Sequence, residues 1–325
     1  MKITVLDGGI INPGDLQWEP ITGIAETDIY ADTSPEQIAE RTADADVVIV
    51  NRLALPAEAV AALGPNVKLV AVMATDAGPL CLPALDRRSI LVCNVRAYSA
   101  EDVAQHTLAL MLEMYRRIGL HSTSVHDGEW TRRGTWCYWL STPRSLDKKV
   151  LGLVGFGSIG RRVGRLANAF GMEVLACCRT PRNPPSYSPF SFVPLDTLLQ
   201  RADIVSLHCP FTPQTREIIN ARTLARMKEG ACLINVSHGG LVCEEDCLEA
   251  MNSGRLGGVA TDVLREEPPS DRDPFLCDPR VLITPHMAWS SRMSRQRLVA
   301  LTAENIRRWM QGTPVNLLNK VKKSQ

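Results

Sequence analysis

The stretch Val150-Leu151-Gly152-Leu153-Val154-Gly155-Phe156-Gly157-Ser158-Ile159-Gly160 decides the fold. It is a short, mostly apolar strand that runs into Gly-x-Gly-x-x-Gly and then into a helix expected over residues 159–170. Each glycine has a physical task in such a turn. Gly155 makes the tight bend, Gly157 lets the backbone approach a pyrophosphate, and Gly160 lets the helix pack closely on the strand. Ser158 and Ile159 open the helix, whose unpaired N–H groups and positive dipole end favour phosphate. A second strand at 173–177 follows at the distance of a βαβ unit, so the pattern indicates a dinucleotide site.

The end of that second strand discriminates between dinucleotides. It runs Cys177-Cys178-Arg179-Thr180-Pro181-Arg182, with no carboxylate to accept from a ribose 2′-hydroxyl. Arg179 and Thr180, beside Cys178, suit a 2′-phosphate instead. The expected cofactor is NADP(H), with NAD(H) the second option if Arg179 is only a solvated loop residue.

Working outward, strands are expected at residues 204–207, 232–235, 258–262 and 281–283, with helices at 195–200, 221–227 and 244–253 between them. With 150–154 and 173–177 they make a doubly wound series of about six strands. The proline-rich segment 181–194 reads as a loop. Nearer the start, strands at 3–6, 47–50 and 69–73 alternate with helices at 35–42 and 56–63, a second βαβ rhythm and hence a second parallel sheet. A long amphipathic helix at 100–117 separates the two sets, and another at 292–310 closes the chain. If the last helix packs on the first sheet, the first domain is discontinuous.

The 325 residues correspond to about two domains. Lys and Arg total 36 against 35 Asp and Glu, so no polybasic surface is available and nucleic acid or an anionic membrane is not an expected partner. The N-terminus lacks the apolar core of a signal peptide and no run approaches a membrane span, which makes the cytoplasm the expected address. The ten cysteines show neither a CxxC pair nor zinc spacing; reduced thiols and no metal site are expected.

With these motifs in order, the sequence resembles the D-2-hydroxyacid dehydrogenases, most closely their glycerate dehydrogenase/hydroxypyruvate reductase branch. The likeness runs nearly end to end, through Asn12-Pro13-Gly14-Asp15-Leu16, Tyr98-Ser99, Val103-Ala104-Gln105-His106-Thr107, Trp136-Cys137-Tyr138-Trp139, the glycine motif, Leu207-His208-Cys209-Pro210, Thr261-Asp262-Val263, Glu267-Pro268 and Thr284-Pro285-His286-Met287-Ala288-Trp289. It implies a flavodoxin-like substrate domain from residues 1–99 plus 290–325, a Rossmann cofactor domain at 100–289, and a homodimer paired through the cofactor domain. The implied activity is hydride transfer between a nicotinamide and a 2-keto or 2-hydroxy acid or related carbonyl. His286 is then the general acid/base and Glu267 its orienting carboxylate. Asp262 would hold the carboxamide, Val236 and Ser237 would line the nicotinamide, and Cys209, Pro210 and Thr215 would lie along the cofactor. Thr75, Asp76, Ala77 and Trp289 would face the substrate.

Two positions depart from the family pattern. An arginine that clamps the substrate carboxylate is expected after Val236-Ser237, and this chain has His238. A histidine is shorter and lacks the planar fork of donors, so a bidentate grip is lost. Asp76 stands where the substrate loop usually has glycine; it either adds negative charge to the pocket or turns away to cap neighbouring backbone. The loss of the arginine weakens binding of a small anionic keto acid, and Asp76 adds to that if it faces the pocket. The sequence therefore leaves two functions open, an oxidoreductase with an atypical clamp and a dinucleotide-binding sensor or scaffold with little turnover.

Overall fold

Val47–Val50 and Leu69–Val72 are buried at every residue. Continuous burial of β-branched and aliphatic residues requires cover on both faces, as in the inner strands of a parallel sheet. The computed structural model describes residues 1–320, in which two such sheets belong to two compact units. One unit is Met1–Ser99 together with the segment from Ser290 on, and the other is Ala100–Trp289.

The first unit has strands β1 (Lys2–Val5), β2 (Glu26–Ile29), β3 (Val47–Val50), β4 (Leu69–Val72) and β5 (Leu91–Cys93) in the order β2-β1-β3-β4-β5, all parallel. This is the flavodoxin-type winding. The helix Arg292–Met310 packs on β4 and on the short helix Glu19–Thr22. Arg295, 8% exposed, donates two hydrogen bonds of 2.7 Å to the Asp15 carboxylate and one of 2.9 Å to the Ile11 carbonyl. That bidentate pair ties the last helix to the first residues of the chain, so this unit is built from two separate segments.

The second unit has β6 (Val150–Val154), β7 (Glu173–Cys177), β8 (Phe190–Phe192), β9 (Ile204–Leu207), β10 (Ala231–Asn235), β11 (Leu256–Thr261) and β12 (Leu282–Ile283). Their order is β12-β11-β10-β9-β6-β7-β8, all parallel, and the winding reverses between β6 and β9. In such sheets ligands lie outside the carboxyl ends of the strands at that reversal. The helix Ala100–Arg116 buries Val103, Ala104, Leu108, Met111 and Tyr115 and packs on the helix Ser158–Ala169 and on β11. It ends where Arg117 takes a left-handed conformation, φ 50°.

The α/β architecture with two parallel sheets is the one the sequence predicts; several local elements differ. The expected loop at 181–194 contains β8, so the sheet has seven strands rather than six. Phe190 and Phe192 pack on Phe156 with centroids 5.0 and 5.5 Å away, and Tyr187 meets Phe190 edge-on at 5.8 Å. Aromatic packing therefore holds a short edge strand that the flanking prolines conceal. In the first unit β2 was not foreseen because its residues Glu26–Ile29 include no buried side chain, and β5 because it has three residues. The helix expected at 35–42 begins as a 3-10 turn, Pro35–Gln37, before Ile38–Arg41, and that at 221–227 shortens to Ala221–Leu224. Among the described residues no helix is long and apolar enough to cross a membrane.

Candidate active site

The glycine turn follows β6. Gly155 has φ +100°, and a Cβ there would lie 2.5 Å from the carbonyl carbon of His208. A Cβ on Gly160 would lie 2.4 Å from the Gly155 carbonyl oxygen, so the helix starts in contact with the turn. A Cβ on Gly157, by contrast, meets nothing within 4 Å. The helix Ser158–Ala169 thus begins with Ser158 and Ile159 beside open space, bounded by backbone. A pyrophosphate fits such a cradle, since the space is there and the N–H groups of the first turn have no intrahelical partners.

At the end of β7, Cys177 and Cys178 are half-buried and burial pushes the Cys177 thiol up. Arg179 and Thr180 are exposed, and Arg179 makes no hydrogen bond or ion pair among the described residues. The loop beyond is fixed by Arg161, which lies over the Phe156 ring at 4.6 Å and donates to the carbonyls of Arg182 (2.9 Å) and Asn183 (2.7 Å). The Arg179 guanidinium is thus carried on a backbone held from the glycine-turn helix.

After β9, burial pushes the His208 imidazole down to about 3, and its Nε2 pairs with Ser206 Oγ at 2.9 Å. The Ser237 hydroxyl donates to the Cys209 carbonyl at 2.7 Å and the Thr215 hydroxyl to the Pro210 carbonyl at 2.7 Å. Ser237 therefore couples the loops after β9 and β10, while Thr215 closes the first of them. Val236 is buried in the core beneath.

His238 follows on the β10 loop. Its ring stacks on Phe211 with centroids 4.3 Å apart and planes 6° apart. The Gly240 N–H donates to its Nδ1 at 3.0 Å, which makes that nitrogen an unprotonated acceptor and puts the ring proton on Nε2. Asn235 holds the same turn, its side-chain amide donating to the His238 carbonyl at 2.9 Å and its side-chain oxygen accepting from Ser237 N–H at 3.1 Å.

Beyond β11 and β12 the structure brings together the two residues predicted for proton transfer. Glu267 Oε2 lies 2.5 Å from His286 Nδ1, and its Oε1 accepts from the Leu264 N–H at 3.0 Å. With Nδ1–H directed to the carboxylate, Nε2 is the ring atom left to give or take a proton. The two side chains are 34% and 36% exposed, open enough to meet a substrate. Asp262, 2% exposed, is more deeply committed than the sequence suggests. Its carboxylate accepts from Thr284 Oγ1 (2.6 Å), Met287 N (2.9 Å) and Ala288 N (2.9 Å). Trp289 is half-buried against the core of this unit.

The remaining expected substrate residues belong to the first unit. The Thr75 carbonyl accepts from the side-chain amide of Asn94, and Ala77 is half-buried. Of the two readings for Asp76, backbone capping is seen: its Oδ1 accepts from the Gly78 N–H at 2.8 Å and lies 3.5 Å from the Arg52 guanidinium. Arg52 itself follows β3 on a turn whose N–H groups at 51, 52 and 53 all donate to the Asp7 carboxylate at 2.7 Å. The sequence gives no direct sign of the contacts of Arg52, Phe211 and Thr284, nor of His106, whose Nε2 lies 2.9 Å from Thr284 Oγ1. Their signals were weak, although Thr284 and His106 both lie inside motifs already singled out.

Residues 108–288 match the D-isomer specific 2-hydroxyacid dehydrogenase family in its NAD binding domain. A hydroxypyruvate reductase from Blautia hydrogenotrophica is 36% identical over 323 residues, 98% of this chain and 100% of that protein. A glycerate dehydrogenase from Methylorubrum extorquens is 34% identical over 288 residues, covering 88% and 89%. Among solved structures, an acyclic imino acid reductase in complex with NADPH and D-Arg superposes with a TM-score of 0.82 at 27% identity, over 98% of this chain and 100% of that chain. The chain belongs to the D-isomer specific 2-hydroxyacid dehydrogenase family and is an NAD(P)-dependent oxidoreductase acting on a CH–OH group.

Proposed function

We propose that this protein is an NADP(H)-preferring reductase whose substrate is a 2-keto acid or related carbonyl compound held without a bidentate carboxylate clamp. The observation that carries this reading is the 2.5 Å contact of His286 Nδ1 with Glu267, which leaves Nε2 for proton transfer. The dinucleotide, when bound, supplies the hydride. His286 then donates a proton to the oxygen of the reduced carbonyl, or removes it in the reverse direction, and Glu267 stabilises the imidazolium. Gly155, Gly157, Ser158, Ile159 and Gly160 would hold the pyrophosphate; Cys178, Arg179 and Thr180 would hold the 2′-phosphate. The loops carrying Cys209, Pro210, Thr215, Val236 and Ser237 would line the rest, with Asp262 beside the nicotinamide. Arg179 supports the phosphorylated cofactor because it is exposed and makes no polar contact of its own among the described residues.

His238 and Asp76, each within its own unit, bring less positive charge than the family's arginine and glycine at those positions would. His238 offers a ring already fixed by Phe211 and Gly240, and the Asp76 carboxylate is shared between Gly78 and Arg52. Those same contacts favour a second reading, a dinucleotide-binding sensor or scaffold with little turnover. The retained His286–Glu267 pair favours the enzyme. A homodimer through the cofactor unit is supported by the helices Ile118–His126 and Glu129–Arg133, which bury no residue, and by Trp136 and Trp139, 89% and 60% exposed. Ten free cysteines support a reducing, cytoplasmic setting. The test is NADPH oxidation with hydroxypyruvate and glyoxylate by the wild type and His286→Ala; full activity in the variant would reject His286 as the proton donor.

A further inference from the structure

His286 sits in a conformation its backbone does not favour. Its φ is +51°, in the left-handed region that non-glycine residues rarely adopt. A turn of this kind persists only where surrounding contacts over-determine it. Here they converge on Asp262. The His286 N–H donates to the Asp262 backbone carbonyl at 2.8 Å, and the Met287 and Ala288 N–H groups donate to the Asp262 carboxylate at 2.9 Å each. One acidic residue therefore grips three successive N–H groups of the turn that carries the acid/base.

The orientation of that carboxylate is set in its turn. Thr284 Oγ1 donates to Asp262 Oδ1 at 2.6 Å. A hydroxyl has one proton, so the 2.9 Å contact between Thr284 Oγ1 and His106 Nε2 requires the ring N–H as donor. His106 Nε2 is also 3.4 Å from Asp262 Oδ1. The hydrogen bonds thus run in one direction, from His106 through Thr284 to Asp262. His106 is anchored on the helix Ala100–Arg116, whose neighbouring residues Val103, Ala104 and Thr107 are buried, and its own side chain is only 17% exposed.

We propose that His106, acting through Thr284 and Asp262, is a positioning residue that holds the His286 turn in its left-handed conformation. The inference rests on the reading of His286 as the acid/base. A merely space-filling His106 would need neither its N–H nor the Thr284 hydroxyl, so the donor atoms themselves are what an experiment can interrogate.

The variants are His106→Leu and Thr284→Val, which remove the donors, and His106→Gln and Thr284→Ser, which restore an N–H and a hydroxyl. Amide hydrogen exchange at residues 286–288 and NADPH oxidation with hydroxypyruvate are measured on each, with NADPH affinity as control. Expected are roughly tenfold faster exchange at 286–288 and a roughly tenfold lower kcat in both deleting variants, NADPH affinity unchanged within about twofold, and recovery in both conservative variants. The double variant His106→Leu with Thr284→Val should lose no more than the worse single one. If either deleting variant fails to fold, exchange and kcat in the conservative pair decide: wild-type values support the relay, and losses in both overturn it. Unchanged exchange and kcat in the deleting variants likewise overturn it. His286→Ala separates the two claims, since an inactive His286→Ala beside fully active deleting variants removes only the positioning role, whereas an active His286→Ala removes the acid/base reading on which it rests.

Discussion

The imidazole of His238 lies flat on the ring of Phe211, 4.3 Å between centroids, while its Nδ1 accepts the Gly240 N–H at 3.0 Å. Stacking and hydrogen bond together fix a ring that has at most one N–H besides, where the family pattern has a permanently charged fork. His238→Arg should therefore raise the rate of glyoxylate or hydroxypyruvate reduction by at least about tenfold, equivalent to about 1.4 kcal/mol of transition-state stabilisation. The check is kcat/KM for each acid in both proteins. Brisk wild-type turnover would show that His238 suffices.

Arg179→Ala should weaken NADPH by about 1–3 kcal/mol and leave NADH nearly unaffected, because only the phosphorylated ribose has an anion for the guanidinium to meet. Calorimetric titration of both cofactors tests this. Equal losses for the two would place Arg179 elsewhere in the site.

Two glycines in the same turn should behave in opposite ways. Gly157→Ala introduces a methyl group into open space, so the melting temperature should hold while dinucleotide affinity falls at least about tenfold. Gly155→Ala adds backbone strain at φ +100° to a 2.5 Å clash with the His208 backbone, and should destabilise the fold by about 2 kcal/mol or more. Thermal melts and cofactor titrations on both variants separate the effects.

His208 should make the protein acid-sensitive. Its ring is held down at about 3 against an ordinary 6.5, so between those values the unfolded chain binds the proton and the folded chain does not. The contribution to stability is present in full above about pH 6.5 and declines as pH falls toward 3. Urea midpoints at pH 4.5 and 7.5 should accordingly differ less in His208→Gln than in the wild type. An identical pH dependence would contradict the assignment.

The legible parts of this molecule were those in which one physical demand fixes the residue type. Gly155 and Gly160 announce a turn with no room for a side chain, Gly157 an open approach beside it, and buried runs such as Val47–Val50 announce inner parallel strands. Edge elements were opaque, because Glu26–Ile29 has no buried face and Phe190–Phe192 owes its place to Phe156, distant in sequence. At the site, His286 and Glu267 could be named from their motifs and meet at 2.5 Å. Asp262 could not be given its grip on residues 286–288, through its carbonyl at 286 and its carboxylate at 287 and 288, since that depends on a backbone turn the sequence does not display. The pairing of Asp76 with Arg52 was equally hidden, as it joins two loops of the first unit through side-chain reach alone.

The central claim is that His286, paired with Glu267, performs proton transfer in a working hydride-transfer enzyme. The most direct measurement is a single-turnover incubation of excess enzyme with NADPH carrying deuterium at the transferable C4 position and hydroxypyruvate, with the product analysed by mass spectrometry. The account predicts one deuterium in the 2-hydroxy acid formed by the wild type and no product from His286→Ala with its NADPH affinity intact. Labelled product from His286→Ala at the wild-type rate would contradict the role of His286, and NADPH binding without labelled product from hydroxypyruvate, glyoxylate or other 2-oxo acids would contradict the enzyme in favour of a dinucleotide sensor.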